Sequence, residues 1–387
     1  MEPDALASRL HGLGTTIFTE MSRLAVATGS VNLGQGFPDV DGPDAVLRRA
    51  AAAITGHEAN QYAPGPGFAP LREAIAAHQR HWYGLDYDPD GEVLVTAGAT
   101  EAVAAALLAL VEPGGDVVAL EPYYDSYKAG IAMAGGHRRP VLLRPPEFAL
   151  DAAALRAAVT PDTRVLLLNS PHNPTGAVLS RAELDEIAAV AREHDLLVVT
   201  DEVYEHLVYD RPHIPFATLP GMRERTVSIS SAGKTFAVTG WKIGWVCAPP
   251  DLVRAVATTK QFLTFTAGGP FQLAVAEALG GPDVYFEELC DGMRKRRDLL
   301  CDGLADVGFD VYVPAGTYFV TTDVRPLGFT DGLSFCRTIP ERCGVVAVPH
   351  QVFYDDQEAA SHLVRWAFCK RFEVLDEAVR RLRRLRG

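Results

Sequence analysis

The sequence has no long apolar run, no closely paired cysteines and no basic block before its last residues. Its 387 residues include 36 Lys and Arg against 49 Asp and Glu, a formal net charge of −13. Such a surface repels a phosphate backbone, so we expect no nucleic-acid partner. No apolar run approaches the ~20 residues of a membrane-spanning helix, and residues 1–4 lack the features of a secretory signal. We therefore expect a cytoplasmic protein with no membrane partner.

The six cysteines are scattered, at positions 247, 290, 301, 336, 343 and 369. None forms a C-x-x-C pair or has metal-ligand spacing with a histidine, so we expect reduced thiols and no metal site. The basic stretch 380–386 continues the apolar spacing of a terminal helix and is interpreted as the solvated face of that helix.

Strand and helix patterns alternate through the middle of the chain. Strand patterns lie at 92–96, 116–120, 164–168, 196–200 and 226–229, and helical patterns at 102–110 and 181–194. Several strands are continuously apolar, which is typical of a parallel sheet covered by helices on both faces. The alternation predicts an α/β protein.

The two ends of the chain indicate a second, smaller α+β unit. Residues 285–307 have the pattern of a long helix, and 311–313 and 318–320 the pattern of a strand pair. Residues 38–70 are rich in proline and glycine and predict a loop-rich rim. We expect a large domain at 40–280 and a small domain formed by 1–39 and 281–387.

The most informative residue is Lys234, which lies just after the apolar run 226–229 within Ser-Ser-Ala-Gly-Lys-Thr. Burial penalises an ammonium group. A Schiff base with pyridoxal phosphate (PLP) would remove that penalty. Lys242 and Ser231 would complete a phosphate site nearby, and the alternative for Lys242, which lies next to Trp241 and near Trp245, is a surface lysine.

Two further motifs follow predicted strands, where open α/β sheets bind ligands. In the first, Gly98, Ala99 and Thr100 would begin a helix whose free N–H groups suit a phosphate, or would form a plain helix cap. In the second, prolines on both sides would hold Asn173 with its amide toward a ligand, or would simply make a turn.

Three more residues have ligand-binding chemistry. Asp201 ends the apolar run 196–200, where a carboxylate needs a partner such as a protonated pyridine nitrogen, unless it caps a helix. Tyr204 would then reach the phenolic oxygen of the pyridine ring. Arg365 interrupts the apolar strand 362–368. Its planar guanidinium group can donate two parallel hydrogen bonds to a carboxylate, either of a substrate or of an acidic residue in an internal ion pair.

Taken in order, these motifs resemble the class I/II aminotransferases, PLP enzymes of the aspartate aminotransferase fold (PLP fold type I). The matching segments are N-P-T-G at 173–176, D-E-V-Y at 201–204, S-x-G-K-T at 231–235, T-G-W-K-x-G-W at 239–245, and Arg365. The resemblance spans essentially the whole chain. It implies a mainly parallel seven-stranded sheet between helices.

Two branches of the family are most similar. Residues 33–39, 60–62 and 231–245 resemble the kynurenine, glutamine and methionine aminotransferases. Residues 64–67, 170–178 and 201–208 resemble the actinobacterial N-succinyldiaminopimelate aminotransferases.

The resemblance implies how the cofactor is held. Lys234 would form the Schiff base and shuttle the proton, Asp201 would pair with the pyridine nitrogen, and Tyr124 would stack on the ring. Asn173 and Tyr204 would hold the ring hydroxyl oxygen. The phosphate would bind Gly98, Ala99, Thr100, Ser231 and Lys242, together with Tyr62 of a neighbouring subunit, so a homodimer with shared sites is expected.

The resemblance also implies a substrate site. Arg365, Asn173 and the backbone of Gly36 would bind the α-carboxylate, and Phe18 with the neighbouring subunit's Phe265 would line the side-chain pocket. The extra carboxylates of a succinylated substrate would need cations or amides, for which Lys128, Arg138 and Lys260 are possible sources.

The expected reaction is ping-pong transfer of an amino group, between N-succinyl-L,L-diaminopimelate and 2-oxoglutarate in lysine biosynthesis. A broad-specificity methionine, glutamine or kynurenine aminotransferase is the alternative, although Thr266 stands where kynurenine enzymes typically carry a histidine. A cysteine-conjugate β-lyase would use the same Lys234 and Arg365. A regulator built on this fold would need a DNA-binding module, for which the residues before about position 15 leave no room.

Overall fold

The structure is a computed structural model, and it describes residues 7–11, 13 and 16–386. Its helices are α1 Ile17–Thr28, α2 Asp44–Thr55, α3 Ala69–Tyr83, α4 Gly98–Leu110, α5 Asp125–Met133, α6 Ala152–Ala158, α7 Arg181–Glu193, α8 Ala232–Thr235, α9 Pro250–Lys260, α10 Gly269–Leu279, α11 Val284–Val307, α12 Gly332–Cys343 and α13 Phe372–Leu382. Its strands are β1 Val31–Asn32, β2 Val93–Thr96, β3 Asp116–Glu121, β4 His137–Leu142, β5 Thr163–Asn169, β6 Leu197–Asp201, β7 Thr226–Ser231, β8 Gly244–Cys247, β9 Asp310–Tyr312, β10 Phe319–Asp323, β11 Val345–Val346, β12 Val348–Pro349 and β13 Leu363–Ala367.

The large sheet has seven strands in the order β2-β8-β7-β6-β5-β3-β4. All neighbouring strands run parallel except β8, which is antiparallel to both β2 and β7. The predicted mainly parallel, seven-stranded α/β fold is therefore confirmed.

The continuous apolar strands bury both faces of this sheet, because successive side chains point to opposite sides. Val117, Ala119, Val165 and Leu167 pack on one face with Val103 and Leu107 of α4. Val118, Leu120, Leu166 and Leu168 pack on the other face with Leu184 and Ile187 of α7. The helices thus hold the central strands rigidly, and these strands present their carboxyl ends at one edge.

A smaller antiparallel sheet has the order β12-β13-β10-β9, and β1 pairs in parallel with β11. The predicted strand pair near 311–320 is present as β9 and β10. Val320 and Val364 of the small sheet belong to the same buried cluster as Val118 of the large one. This shared core brings β13 over the carboxyl ends of β5 and β6. The division at residues 40 and 280 stays a prediction.

The prediction of a loop-rich rim over 38–70 was wrong in its middle. Residues 44–55 form α2, with Val46, Ala50 and Ala53 buried at helical spacing. Alanine, leucine and arginine favour a helix, and Pro43 at the N-cap does not oppose one. The proline and glycine residues on which the rim prediction was based lie before and after this helix, at 38–43 and 56–67.

Two strands of the large sheet were not predicted. Edge strand β4 has the sequence His-Arg-Arg-Pro-Val-Leu, whose charges and proline suit only an edge. Strand β8 is a four-residue segment that follows a turn. All six cysteines are unpaired. Among the described residues, no helix is both long enough and apolar enough to cross a membrane.

Candidate active site

A cavity of about 380 Å³ lies at the carboxyl ends of the central strands. It is lined by all but two of the predicted site residues: Phe18, Gly36, Gly98, Ala99, Thr100, Tyr124, Asn173, Asp201, Tyr204, Ser231, Lys234, Lys242 and Arg365. The parallel register explains this convergence, because Asn169 pairs with Asp201 and Asp201 pairs with Ile229 across three adjacent strands.

Lys234 lies in α8, the single helical turn that follows β7. Its Nζ is 5.7 Å from the ring centroids of both Tyr204 and Tyr318. Burial lowers the pKa of this amine, and the positive charges of Lys242 and Arg365 lower it further. A larger fraction of the amine is therefore neutral near pH 7, as a proton acceptor requires.

Asp201 is the last residue of β6 and is almost fully buried. The Tyr127 hydroxyl donates to its Oδ2 at 2.6 Å, and the Val203 N–H donates to its Oδ1 at 3.3 Å. Burial raises the pKa of this carboxyl, although both hydrogen bonds oppose the rise. A cationic ligand group beside Asp201 would stabilise its ionised form.

The opposite side of the cavity is suited to an anion. Helix α4 begins at Gly98, which has φ +77°, and its first-turn N–H groups have no partners within the helix. A Cβ at Gly98 would lie 3.2 Å from Lys242 Nζ, so the ammonium sits directly beside the helix N-terminus. Thr100 and Ser231 line the same region. The helix dipole, the ammonium and the hydroxyls together favour a phosphate.

Arg365, on β13, is 2% exposed. Its Nη1 donates to Asn173 Oδ1 at 2.8 Å and its Nη2 donates to the Gly34 carbonyl at 3.2 Å, while its Nε is buried without a partner. The guanidinium lies 3.9 Å from the Phe319 ring centroid. Burial lowers its pKa to about 10.

No ion pair found among the described residues involves Arg365, so the internal ion pair considered for it from the sequence is not present there. The charge of Asp125 acts on Arg365 without direct pairing, and a buried cation that lacks a paired carboxylate is costly. The cavity therefore offers Arg365 as a site for a ligand carboxylate.

Sequence reasoning missed two supporting residues. Tyr127 lies on α5, three residues after Tyr124, and no pattern in the sequence indicates that its hydroxyl reaches Asp201. Asn169 donates to the Asp201 and Pro171 carbonyls at 2.7 and 3.1 Å and accepts from the Asn173 N–H at 2.8 Å. It thereby joins the end of β6 to the loop that carries Asn173.

Tyr62 and Phe265 do not line the cavity within one chain. They are 82% and 48% exposed, and their ring centroids lie 5.4 Å apart in an edge-to-face contact. This position is compatible with the predicted contribution of both residues to a neighbouring subunit.

The three cations considered for a succinylated substrate lie elsewhere. Lys128 and Arg138 both pair with Asp355, and the Lys260 ammonium donates to the carbonyls of Gly65 and Phe265. None of them lines the cavity. Spacing in the sequence could not reveal these partners.

The chain belongs to the family of class I and II aminotransferases, whose sequence model matches residues 28–382. The predicted membership, and with it the prediction of an aminotransferase, is confirmed.

Individual relatives are similar over nearly their whole length. A Mycobacterium tuberculosis protein named as a probable N-succinyldiaminopimelate aminotransferase is 56% identical over 97% of each chain. The methionine aminotransferase of Escherichia coli is 40% identical over 98% of each chain.

Solved structures agree with this. That of N-succinyldiaminopimelate aminotransferase from Mycobacterium tuberculosis has a TM-score of 0.96 at 56% identity, covering 98% of this chain and 100% of that chain. That of Thermus thermophilus aspartate aminotransferase with maleate has a TM-score of 0.91 at 33% identity, covering 98% and 99%. The predicted aspartate aminotransferase fold is confirmed.

Proposed function

We propose that the protein uses PLP to transfer an amino group between N-succinyl-L,L-diaminopimelate and 2-oxoglutarate. The observation that carries the reaction class is Arg365, a buried guanidinium that forms no ion pair with any described carboxylate, in one cavity with the Lys234 amine. The 56% identity to the mycobacterial relative supports the choice of substrate.

The residues present fit PLP at both ends of its ring. The space between Gly98 and Lys242, where a Cβ at Gly98 would lie 3.2 Å from the lysine Nζ, would hold the phosphate, with Ala99, Thr100 and Ser231. Asp201, fixed by Tyr127, would hold the pyridine nitrogen in its cationic form. Tyr124 would pack on the ring, and Asn173 and Tyr204 would bind its hydroxyl oxygen. When bound, PLP supplies a sink for the electron pair released at the substrate Cα.

Arg365 orients the substrate. Its fork would bind the α-carboxylate in two parallel hydrogen bonds, with Asn173 and the backbone of Gly36 beside it. Phe319 and Phe18, at 3.9 and 5.2 Å from the guanidinium, exclude water from this contact and thereby strengthen it. The carboxylate would thus fix where the Cα–H bond points.

Lys234 moves the proton. Its lowered pKa favours the neutral amine, which would accept the proton from the Cα of the amino donor in the first half-reaction. In the second half-reaction, which runs in reverse, the protonated amine would give a proton to the Cα of the amino acid that forms.

We further infer that the active form is a homodimer with shared sites. Tyr62 and Phe265 are exposed together with Phe262 and Leu263, which are 82% and 48% exposed. Aromatic and aliphatic side chains grouped in this way are typical of an interface. Sedimentation analysis would measure a dimer. A monomer with full activity would contradict shared sites. The cytoplasmic location stays a prediction.

A second substrate class is favoured by one observation. The charged residues that line the cavity are Asp201, Lys234, Lys242 and Arg365, all of which have the roles given above. Around them, Phe18, Phe37 and Phe319 form an aromatic wall. This chain's own residues therefore suit an apolar substrate side chain such as that of methionine. A succinylated substrate would need cations from the second subunit for its extra carboxylates.

The experiment compares amino donors at equal concentration with 2-oxoglutarate and measures glutamate formation. A kcat/KM for N-succinyl-L,L-diaminopimelate well above those for methionine, glutamine and kynurenine supports the first proposal. The reverse order supports the methionine-type enzyme. Pyruvate and ammonia from a cysteine conjugate, without an oxo acid, would instead identify a β-lyase.

A further inference from the structure

A buried cluster of two histidines and a glutamate lies outside the cavity. His78 is on α3, and Glu205 and His206 directly follow Tyr204. They are 3%, 4% and 9% exposed, and one ligand atom from each lies within 4.8 Å of the others. The two Nε2 atoms are 2.7 Å apart, so the rings share a hydrogen bond in this state.

The Glu205 carboxylate has no cation among its partners in the described chain. Ser230 Oγ donates to its Oε1 at 2.5 Å, and the Tyr83 hydroxyl also contacts it. The neighbouring His213 pairs instead with Glu202, at 3.1 Å. A buried carboxylate that only neutral hydroxyls solvate is costly, and a cation would offset that cost.

Both imidazoles are suited to bind a metal. Burial lowers the pKa of His78, and lowers that of His206 to about 3, so both rings are neutral near pH 7. Neutral imidazole is the form that ligates metal ions. Two imidazole nitrogens with one carboxylate oxygen form a donor set that Zn²⁺ accepts, with a fourth position left for water.

The two imidazole nitrogens need only a small separation, and the Glu205 ligand oxygen already lies within 4.8 Å of them. Two donors on one tetrahedral zinc ion, at 2.0–2.1 Å from it, lie roughly 3.3 Å apart. The Nε2 atoms would therefore separate by about 0.6 Å from their present 2.7 Å. Trp82 and Phe286 surround the rings and exclude bulk water.

We propose that His78, Glu205 and His206 form a zinc site. The ion would replace the hydrogen bond between the rings and neutralise Glu205. It would tie α3 to the segment that carries Asp201 and Tyr204. The prediction of no metal site considered histidine spacing along the chain only, and His78 and His206 are 128 positions apart.

The test uses untagged, PLP-loaded protein, equilibrated with low-micromolar zinc chloride and analysed for metal by mass spectrometry. We expect one zinc ion per chain, with an affinity reduced at least about 10-fold in His78→Gln and in Glu205→Gln. The matched control is His81→Gln on the same helix, an exposed histidine paired with Asp283, which should bind like the original chain.

Cobalt provides a second readout that does not depend on activity. Co²⁺ bound by this set would give the visible absorption of a four-coordinate ion in the original chain and in His81→Gln, and not in His78→Gln. Circular dichroism confirms that each variant is folded. A folded original chain that binds no zinc, or a His78→Gln variant that binds it equally well, would overturn the proposal.

Discussion

Arg365 on β13 donates a hydrogen bond from Nη1 to Asn173 Oδ1 at 2.8 Å, across 192 positions of the chain. One partner belongs to the small sheet and the other follows β5 of the large sheet. The carboxylate site is therefore assembled only when both sheets pack on their shared core. Binding of a substrate carboxylate should in turn stabilise this contact.

Replacing Arg365 by lysine should weaken substrate binding strongly. Lysine keeps the positive charge but loses the planar set of guanidinium N–H donors. Its ammonium cannot donate hydrogen bonds to Asn173, Gly34 and a carboxylate in the same plane. We expect kcat/KM to fall about 10²- to 10³-fold, mainly through KM. Steady-state kinetics would measure this. The control is Arg337→Lys, at a surface pair with Glu20, and a loss no larger than in that control would contradict the assignment.

Replacing Lys234 by alanine should abolish amino transfer. Without the amine, no other side chain lining the cavity is placed to move the Cα proton, and we expect a loss of at least about 10³-fold in turnover. Glutamate formation is the measurement. Lys128→Ala, at a surface pair with Asp355, should keep full activity. Retention of a tenth of the rate by Lys234→Ala would refute its role.

Tyr127→Phe should act through Asp201. Removing the hydroxyl that donates at 2.6 Å to Oδ2 raises the pKa of this carboxyl further, because the hydrogen bond favours the ionised form. The acid limb of the pH–rate profile should move to higher pH, and kcat/KM should fall about 10-fold. Tyr87→Phe is the matched control, since Tyr87 is also buried but does not line the cavity. An unmoved acid limb would show that Tyr127 is only structural.

His172 should make the fold acid-sensitive. It is buried, its Nδ1 lies 2.7 Å from Thr175 Oγ1, and burial lowers its pKa to about 4. The unfolded imidazole takes up its proton below about pH 6.5, whereas the folded one stays neutral, so stability present above pH 6.5 is lost as the pH falls.

Between pH 7.5 and 5 this effect amounts to about 2 kcal/mol of unfolding free energy. Urea unfolding at the two pH values should show a smaller loss in His172→Gln than in the original chain. The exposed His194, replaced in the same way, should change nothing. An equal loss in all three proteins would rule out His172 as the source.

The sequence alone identified the charged residues whose burial costs free energy, because each lies in or next to an apolar strand. Asp201 and Arg365 each interrupt or end a continuous apolar strand, and a charge there demands a partner. Lys234 was found in the same way. Asp201 ends β6 and Lys234 follows the adjacent strand β7, so parallel topology brings these two together. Arg365 lies on β13 of the small sheet and reaches them only through the shared core.

Residues that act through tertiary contacts could not be found in this way. Nothing in the run Tyr123-Tyr124-Asp125-Ser126-Tyr127 tells which hydroxyl reaches Asp201. Helix α2 was missed because proline and glycine on both sides dominated the composition of 38–70. The partners of Lys260 are carbonyls, which have no signature in a sequence.

The central claim is that this cavity carries out PLP-dependent amino transfer. We would load purified protein with PLP, mix it with glutamate or N-succinyl-L,L-diaminopimelate in the absence of any oxo acid, and follow the cofactor absorbance through one turnover. The account predicts stoichiometric conversion to the pyridoxamine form, reversed by 2-oxoglutarate and absent in Lys234→Ala. No conversion with these donors or with methionine, glutamine or kynurenine would contradict it.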